Sequence, residues 1–389
     1  MSIREKAYIA GVFEHPTRRA DGISTAQLHA EVALGALADA GLSLKDVDGY
    51  FCGAEAPGLG GMTMAEYIGL TNLRHIDSTE TGGSSYLLHV GHAAQAVAAG
   101  HCNVALVTLA DRPVAAAAGV GLSGVDSSQR PDLQFTSMVP RAPVHAYAMV
   151  ARRHMHEFGT TPEQLAWVRV AASHHAQHNP HAIRREVVSV DDVLASPLVS
   201  DPLRRLDCCV VSDGGGAVVV SRPEIARALA RPRVKIIGAG SGVKHSNGGK
   251  IDLTYSAAVW SGPKAFEEAG VKPSDISYAS LYDSFTITVI VQLEDLGFCK
   301  KGEGGKFVMD GNLISGIGRL PFNTDGGGLC NNHPGNKGGM TKIIEAVRQC
   351  RGEAHPAVQV KNHEIVLAHG TGGSLAGYHA AGTLILQAE

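Results

Sequence analysis

The chain carries almost no excess charge. Lys and Arg number 34 against 37 Asp and Glu, a net charge of -3. That balance leaves no basic footprint for nucleic acid and no polybasic signal for a membrane surface. No apolar run reaches the length of a membrane span. None of the seven cysteines falls in a C-x-x-C pair, which argues against a zinc knuckle or a dithiol redox site. No G-x-x-x-x-G-K pattern exists, so the glycines at 214–216 point to close packing, not a phosphate cradle. His174, His175 and His178 fall at spacings a metal could use on a helix, yet no acid or cysteine accompanies them. A solvated face is the expectation there, and no metal is expected. No secretory leader is read at the start, so reduced thiols and a cytoplasmic location are expected. The last residues, Leu386-Gln387-Ala388-Glu389, are not a peroxisomal tripeptide.

What is present points to a well-buried globular protein. Apolar residues make up 44% and charged ones 18%. At 389 residues the chain is too long for a single ordinary core. Leu28, Val32, Leu34, Leu37 and Ala40 recur at near-helical spacing over 26–40, and Gly41 ends that run as a C-cap. A connector and a strand follow, up to Gly53. The same phrase returns at 265–282. Ala36, Ala40, Gly41, Asp46 and Val47 match Ala265, Ala269, Gly270, Asp275 and Ile276 at one offset of 229 residues. An internal duplication explains this better than coincidence. Each copy leads on to a glycine-rich stretch, a helix and further strands. The helices are expected at 86–99, buried all round, and at 340–347. Strands are expected at 7–12, 104–109, after the 210–216 turn, and at 357–360, 365–367 and 383–386. Helices alternating with β-branched runs argue for layered α/β halves. The divisions are 1–221 and 222–389. A helical, lid-like insertion at about 111–205 holds helices near 147–158 and 162–178.

Two polar stretches stand where rigid elements should stop. Tyr282-Asp283-Ser284-Phe285 follows an apolar run, and Asn331-Asn332-His333-Pro334-Gly335 follows Gly326–Gly328 and precedes a helical pattern. Thr79-Glu80-Thr81-Gly82-Gly83 opens the buried helix of the first half. His333 titrates nearest neutrality and is an obvious base. Tyr282 needs a lowered pKa to serve as one, because ionising an ordinary tyrosine at pH 7 costs roughly 4 kcal/mol. Glu80 is a third candidate, or else a cap on its helix.

Taken in order, these stretches resemble the thiolase superfamily, in the branch of the thiolase half of sterol carrier protein x. The duplicated half, the Ser212-Asp213-Gly214 turn, the run Glu157-Phe158-Gly159-Thr160 with His174, Asn179 and Pro180, and the His333-Pro334 element are collinear with that branch. The resemblance covers almost the whole chain and implies the five-layered αβαβα thiolase fold. It implies a catalytic cysteine at Glu80 or a neighbour, but 79–85 contains none. The branch's His-Asp-Cys-Phe motif reads Tyr282-Asp283-Ser284-Phe285 here, so its second cysteine is also missing. Acyl transfer through a covalent thioester then has no carrier. Stabilising a thioester enolate is still open to such a pocket.

The chain is in this respect similar to the thiolase-like side-chain aldolases of steroid catabolism, which carry tyrosine in place of the motif histidine. That resemblance implies retro-aldol cleavage of a β-hydroxyacyl-CoA. It also implies Tyr282, His333 and Glu80 as catalytic candidates, and Asn332, His369, Gly370, Gly372 and Ser284 around the substrate. The CoA thioester is the substrate and no cofactor is expected. A homodimer is expected, pairing through 104–109, together with a small zinc-containing OB-fold partner. Arg141, Arg152, Arg153, Arg184 and Arg185 lie in the insertion that covers the nucleotide of CoA in this family, and none is assigned as a ligand. Two other readings stand beside this one. One is an acyltransferase with a relocated nucleophile such as Cys330. The other is a non-catalytic subunit of a complex.

Overall fold

The structure, a computed structural model, describes residues 2–116, 143–247, 250–335 and 338–389. Arg141 and part of the insertion lie outside the described residues.

Strands β1 (Tyr8–Glu14), β2 (Gly49–Cys52), β3 (His75–Asp77), β4 (Val104–Asp111), β7 (Gly214–Ser221), β8 (Val234–Lys244), β9 (Tyr278–Leu281), β10 (Ile365–Gly373) and β11 (His379–Ala388) form one sheet. Its order is β3-β2-β4-β7-β1-β8-β11-β10-β9. A small hairpin, β5 (Leu198–Ser200) and β6 (Leu203–Arg204), stands apart in the insertion. Outward from the β1–β8 seam, the two sides repeat one another. Each runs through two antiparallel pairs to a parallel pair, β4 with β2 and β10 with β9. A parallel bridge from Ala279 to Phe322 stands where β3 stands on the other side.

The 229-residue offset maps β2 onto β9 residue for residue. Packing repeats as well. Helix α1 (Thr25–Ala40) is ended by Gly41 at φ 70°, and α5 (Ala258–Ala269) by Gly270 at φ 68°. Both are left-handed turns that glycine adopts without a Cβ penalty. Gly11 of β1 lies on the Ala36 carbonyl and Ala40, and Gly238 of β8 lies in the same way on Ala265 and Ala269. A Cβ at either glycine would strike helix backbone, so the helix rests directly on the strand.

Between the two sides of the folded sheet lie α2 (Ser85–Ala98) and α7 (Gly339–Arg351). Helix α2 touches strands of both halves and packs on α7. Its buried residues cover most of the helix, but Leu88, His92 and Gln95 form a strip that reaches water, so burial all round, as expected from its composition, does not hold on that side. The outer layers are α1 on one side and α5 with α6 (Thr286–Asp295) on the other. Insertion helices α3 (Pro143–Phe158) and α4 (Pro162–Ala176) lie against α6. The layers are therefore αβαβα.

Two further expectations are corrected. Residues 357–360 are not a strand, although they are apolar and β-branched. The amides of Val358 and Gln359 turn back to the His355 carbonyl. The Gln349 side chain takes the place of a neighbouring strand, accepting from the Val360 amide at 2.9 Å and donating to the Val358 carbonyl at 3.2 Å. Likewise β4, which covers 104–109, cannot pair with a second subunit, because β2 and β7 flank it. The open edge of that half is β3, where Ile76 is exposed.

Candidate active site

The parallel strands β9 and β10 end side by side, and Tyr282 is the first residue past β9. Its amide donates to the His369 carbonyl at 3.1 Å, and Gln292 Nε2 donates to its carbonyl at 2.6 Å. The ring therefore leaves a backbone held on both sides. Strand alternation sends it inward, toward the start of α2. There it meets Gly83, where an added Cβ would collide with the Tyr282 hydroxyl and the Thr371 carbonyl.

His333 approaches from the other side. Its amide donates to Ser212 Oγ at 3.0 Å, and the Ser212 amide donates back to the His333 carbonyl at 3.3 Å. Next to Ser212, Asp213 is buried and accepts from the amides of Ala20 and Val114 at 2.8 and 2.7 Å. The Ser-Asp-Gly turn thus anchors the loop that presents the histidine. The Tyr282 and His333 rings meet edge to face, with centroids 5.4 Å apart at 80°. Gly338 closes the gap, since a Cβ there would lie 3.4 Å from the Tyr282 ring and 3.2 Å from His333.

Electrostatics sets what each group does. Tyr282 is only 5% exposed, and burial pushes its pKa well above the ordinary 10. Nearby Cys209 and Tyr147 add to the rise, while the Gly338 amide opposes it. Among the described residues the raising effects outweigh the Gly338 amide, so Tyr282 stays protonated and keeps a hydroxyl proton to donate. His333 is 3% exposed, and neither ring nitrogen has a partner among the described residues. Burial lowers its pKa to about 4, against the pull of the Asp283 carboxylate. At neutral pH it is an uncharged imidazole with a nitrogen free to accept a proton.

The other expected residues separate into those at the pocket and those turned away. Ser284 shares a 3.1 Å hydrogen bond with Thr288 Oγ1, and its carbonyl accepts from the Cys209 amide at 3.0 Å. The Tyr147 hydroxyl also reaches its side chain. Ser284 is therefore held among Thr288, Cys209 and Tyr147, close to Tyr282. Asn332 donates through Nδ2 to Glu14 Oε1 at 2.6 Å, inside a buried network that includes Arg18 and Arg348. That contact braces the loop.

Glu80 is exposed, and its oxygens accept from Ala54 at 2.9 Å and Gly82 at 2.7 Å. The carboxylate caps the turn into α2. His369 is the clearest correction. Its ring faces the outer layer and bonds Thr383 Oγ1 at 2.8 Å, because the period-two alternation turns it away from the Tyr282 side. Gly370 and Gly372 do face inward, but the Thr81–Leu87 segment lies directly on them. Their backbones pair with Gly382 and Ala380 of β11, so they serve close packing.

Three more residues lie beside Tyr282, two of them, Tyr147 and Cys209, not singled out in the sequence. Tyr147 on α3 stacks on Phe285 with centroids 4.5 Å apart. Cys209 is half-buried and within electrostatic reach of both tyrosine hydroxyls. Gly83 admits the Tyr282 hydroxyl. The glycine pair 82–83 was a visible signal, whereas Tyr147 and Cys209 reach the site only through the fold. Cys330, by contrast, is fully buried, with its thiol pushed up to about 12 by burial.

The fit at Gly83 carries a prediction. Gly83→Ala displaces the Tyr282 ring or the start of α2, at a cost of about 1–3 kcal/mol for overpacking, and abolishes turnover. Urea unfolding and steady-state rates check it, and normal activity in this variant refutes it.

Buried histidines carry another. His175, His369 and His379 are held near 3, and His89 and His333 near 4, in every case chiefly by burial. Their unfolded values lie near 6.5, so below that pH the unfolded chain binds protons that the native state does not. The stability they contribute is present above pH 6.5 and is lost as pH falls toward 4 and 3. The urea midpoint is therefore expected to drop between pH 7.5 and pH 5, and an unchanged midpoint contradicts it.

Comparisons with known proteins place the chain in a family. Residues 240–388 match the family described as thiolase C-terminal domain-like. A steroid side-chain-cleaving aldolase of Thermomonospora curvata is 36% identical over 89% of this chain and 90% of its own. An acetyl-CoA acetyltransferase of Methanothermobacter thermautotrophicus is 34% identical over 91% and 94%. The 17-hydroxy-3-oxo-4-pregnene-20-carboxyl-CoA lyase of Mycobacterium tuberculosis is also 34% identical, over 96% and 98%. Among solved structures, the Ltp2-ChsH2(DUF35) aldolase superposes with a TM-score of 0.88 at 34% identity, over 99% of this chain and 98% of that one. The chain belongs to the thiolase superfamily. Within it, the chain lies on the sterol-carrier-protein-2-like branch that holds the aldolases.

Proposed function

We propose that the protein is a carbon–carbon lyase that cleaves a β-hydroxyacyl-CoA by retro-aldol chemistry. The observation that carries this is the facing pair of Tyr282 and neutral His333, in a thiolase frame whose 79–85 segment holds no thiol. His333 accepts the proton of the β-hydroxyl. The Cα–Cβ bond breaks, a carbonyl product leaves, and the electron pair moves into the thioester as an enolate. Tyr282 donates its hydroxyl hydrogen bond to that enolate oxygen, beside the N-terminus of α2, where negative charge is favoured. The proton held on His333 then returns to Cα. Side chains supply both proton transfers, so the scheme calls on no cofactor.

Halves 1–221 and 222–389 act together, because Gly83 comes from the first and Tyr282 and His333 from the second. A second copy pairing at β3, a small zinc-containing OB-fold partner and a cytoplasmic setting complete the reading. Among the described residues no helix is long and apolar enough to cross a membrane, and none of the seven cysteines is in a disulfide. Incubation with β-hydroxyacyl-CoA thioesters, with and without such a partner, should yield a carbonyl compound and a shortened acyl-CoA. Absence of both products in every combination rejects the lyase.

A second reading, acyl transfer, is favoured by one observation, the half-buried Cys209 beside Tyr282. Burial raises that thiol far above its ordinary value, which leaves little thiolate to attack. Intact mass after incubation with acyl-CoA separates the two. An adduct on Cys209 supports transfer, and an unmodified chain supports the lyase.

A further inference from the structure

Asp283 follows Tyr282 directly but points into neither the pocket nor solvent. Its Oδ1 accepts the Gly328 amide at 2.8 Å, and its Oδ2 accepts the Leu329 amide at 3.1 Å. Lys342 Nζ lies 2.9 Å from the same Oδ1. Both residues are 1% exposed. The turn wraps the carboxylate so closely that a Cβ at Gly327 would collide with it.

Three segments meet at this carboxylate, and each holds part of the site. The end of β9 carries Tyr282. The turn Gly327–Cys330 leads into the loop of His333. Helix α7 begins just past Gly338, the residue that touches both rings. Thr341 Oγ1 donates to the Gly338 carbonyl at 2.8 Å, and Lys342 is the next residue, so the ion pair ties the first turn of α7 to the end of β9. An ion pair this deeply buried is poor evidence of stability, because losing two hydration shells offsets most of the attraction. Its placement at the junction of all three site-bearing segments is what calls for an explanation.

We propose that the Lys342–Asp283 pair is the positioning element of the site, locking the glycine turn, the end of β9 and the first turn of α7 together so that the Tyr282 hydroxyl and the His333 ring converge on the substrate. The inference rests on the lyase reading for its substrate only. The pair also sets the field at the imidazole. Described groups on the elements around His333 are Tyr282 and Asp283 from β9, Lys342 from α7, and Asp111 at the end of β4, whose carboxylate packs on Gly335. The Asp283 charge favours protonation of His333 and the Lys342 charge opposes it. Removing Lys342 leaves the carboxylate unbalanced, so His333 must titrate at higher pH.

The test uses Lys342→Met, Lys342→Arg and the double variant Asp283→Asn with Lys342→Met, each in the full chain. In Lys342→Met, kcat is expected to fall about 100-fold, the loss that a small misplacement of reacting groups produces, with KM nearly unchanged. His333, followed by NMR of 15N-labelled histidine, titrates about one unit or more higher. Lys342→Arg recovers both readouts. The double variant leaves no uncompensated charge and keeps an oxygen for the turn amides. It is expected to fold whether or not Lys342→Met does, and to remain impaired in kcat. Wild-type kcat in the folded double variant overturns the proposal, as does an unshifted His333 in Lys342→Met or a loss that arginine does not recover. Should the wild type cleave no β-hydroxyacyl-CoA, the lyase reading fails alone, and the His333 titration still decides the role of Lys342.

Discussion

Tyr282→Phe lowers kcat for β-hydroxyacyl-CoA cleavage by about 10²–10³-fold, the loss expected when one donor to a developing oxyanion is removed. KM changes little, because the hydrogen bond strengthens only as negative charge grows on the thioester oxygen. Burial is the cause. A hydroxyl pushed well above pKa 10 has its proton available as a donor throughout the neutral range. Lying against Gly83, it points at the start of α2. The enolate oxygen then gains both the hydroxyl and the positive end of the helix dipole. The loss of one hydroxyl leaves the ring and its packing on His333 in place, so the urea midpoint should stay close to that of the wild type. HPLC of the acyl-CoA products gives kcat and KM. A Tyr282→Phe enzyme within about threefold of wild-type kcat would remove Tyr282 from the transition state.

The second large effect is expected at His333. His333→Ala lowers kcat by about 10²–10⁴-fold, the range for loss of a positioned general base. The pH profile gives a sharper check than the rate. His333 is held to about 4, so in the free enzyme it is neutral and competent above that value. The acid limb of kcat/KM is therefore expected near pH 4, with no inflection near 6.5, the value of an ordinary imidazole. Rates are taken in the first seconds after dilution into acid, before the buried histidines unfold the protein. A limb near 6.5 would mean that solvent reaches His333 in the working enzyme, and the base would have to be sought elsewhere.

The residues that can be read in the chain are those whose role is local. Gly41 and Gly270 announce helix ends because only glycine takes their left-handed backbone at no cost. The 229-residue repeat then puts Tyr282 at the end of a core strand by simple comparison of the two copies. His369 and Glu80 are different. Each lies in a stretch expected at the site, but which way a side chain points depends on strand parity and on which amides compete for it. His369 is on the outward parity of β10, and Glu80 is claimed by the amides of Ala54 and Gly82. The strand expected at 357–360 fails for a related reason. Its composition suits a strand, but the Gln349 side chain satisfies the amide and carbonyl that a neighbouring strand would have taken.

By itself the sequence determined the duplicated α/β frame, the loss of thiol chemistry at 79–85 and the stretches that bear the chemistry, because periodicity, glycine positions and missing residue types are properties of the chain alone. Only the tertiary structure decided that the Tyr282 hydroxyl keeps its proton and that the His333 imidazole is uncharged at neutral pH. A pKa is set by the water and charges removed or brought near on folding, and those come from β9, α7 and the Ser212 turn, far apart in the chain. It also decided that Lys342, unremarkable in sequence, pairs with the carboxylate next to Tyr282. Its 59-residue separation from Asp283 closes only when α7 packs beside β9.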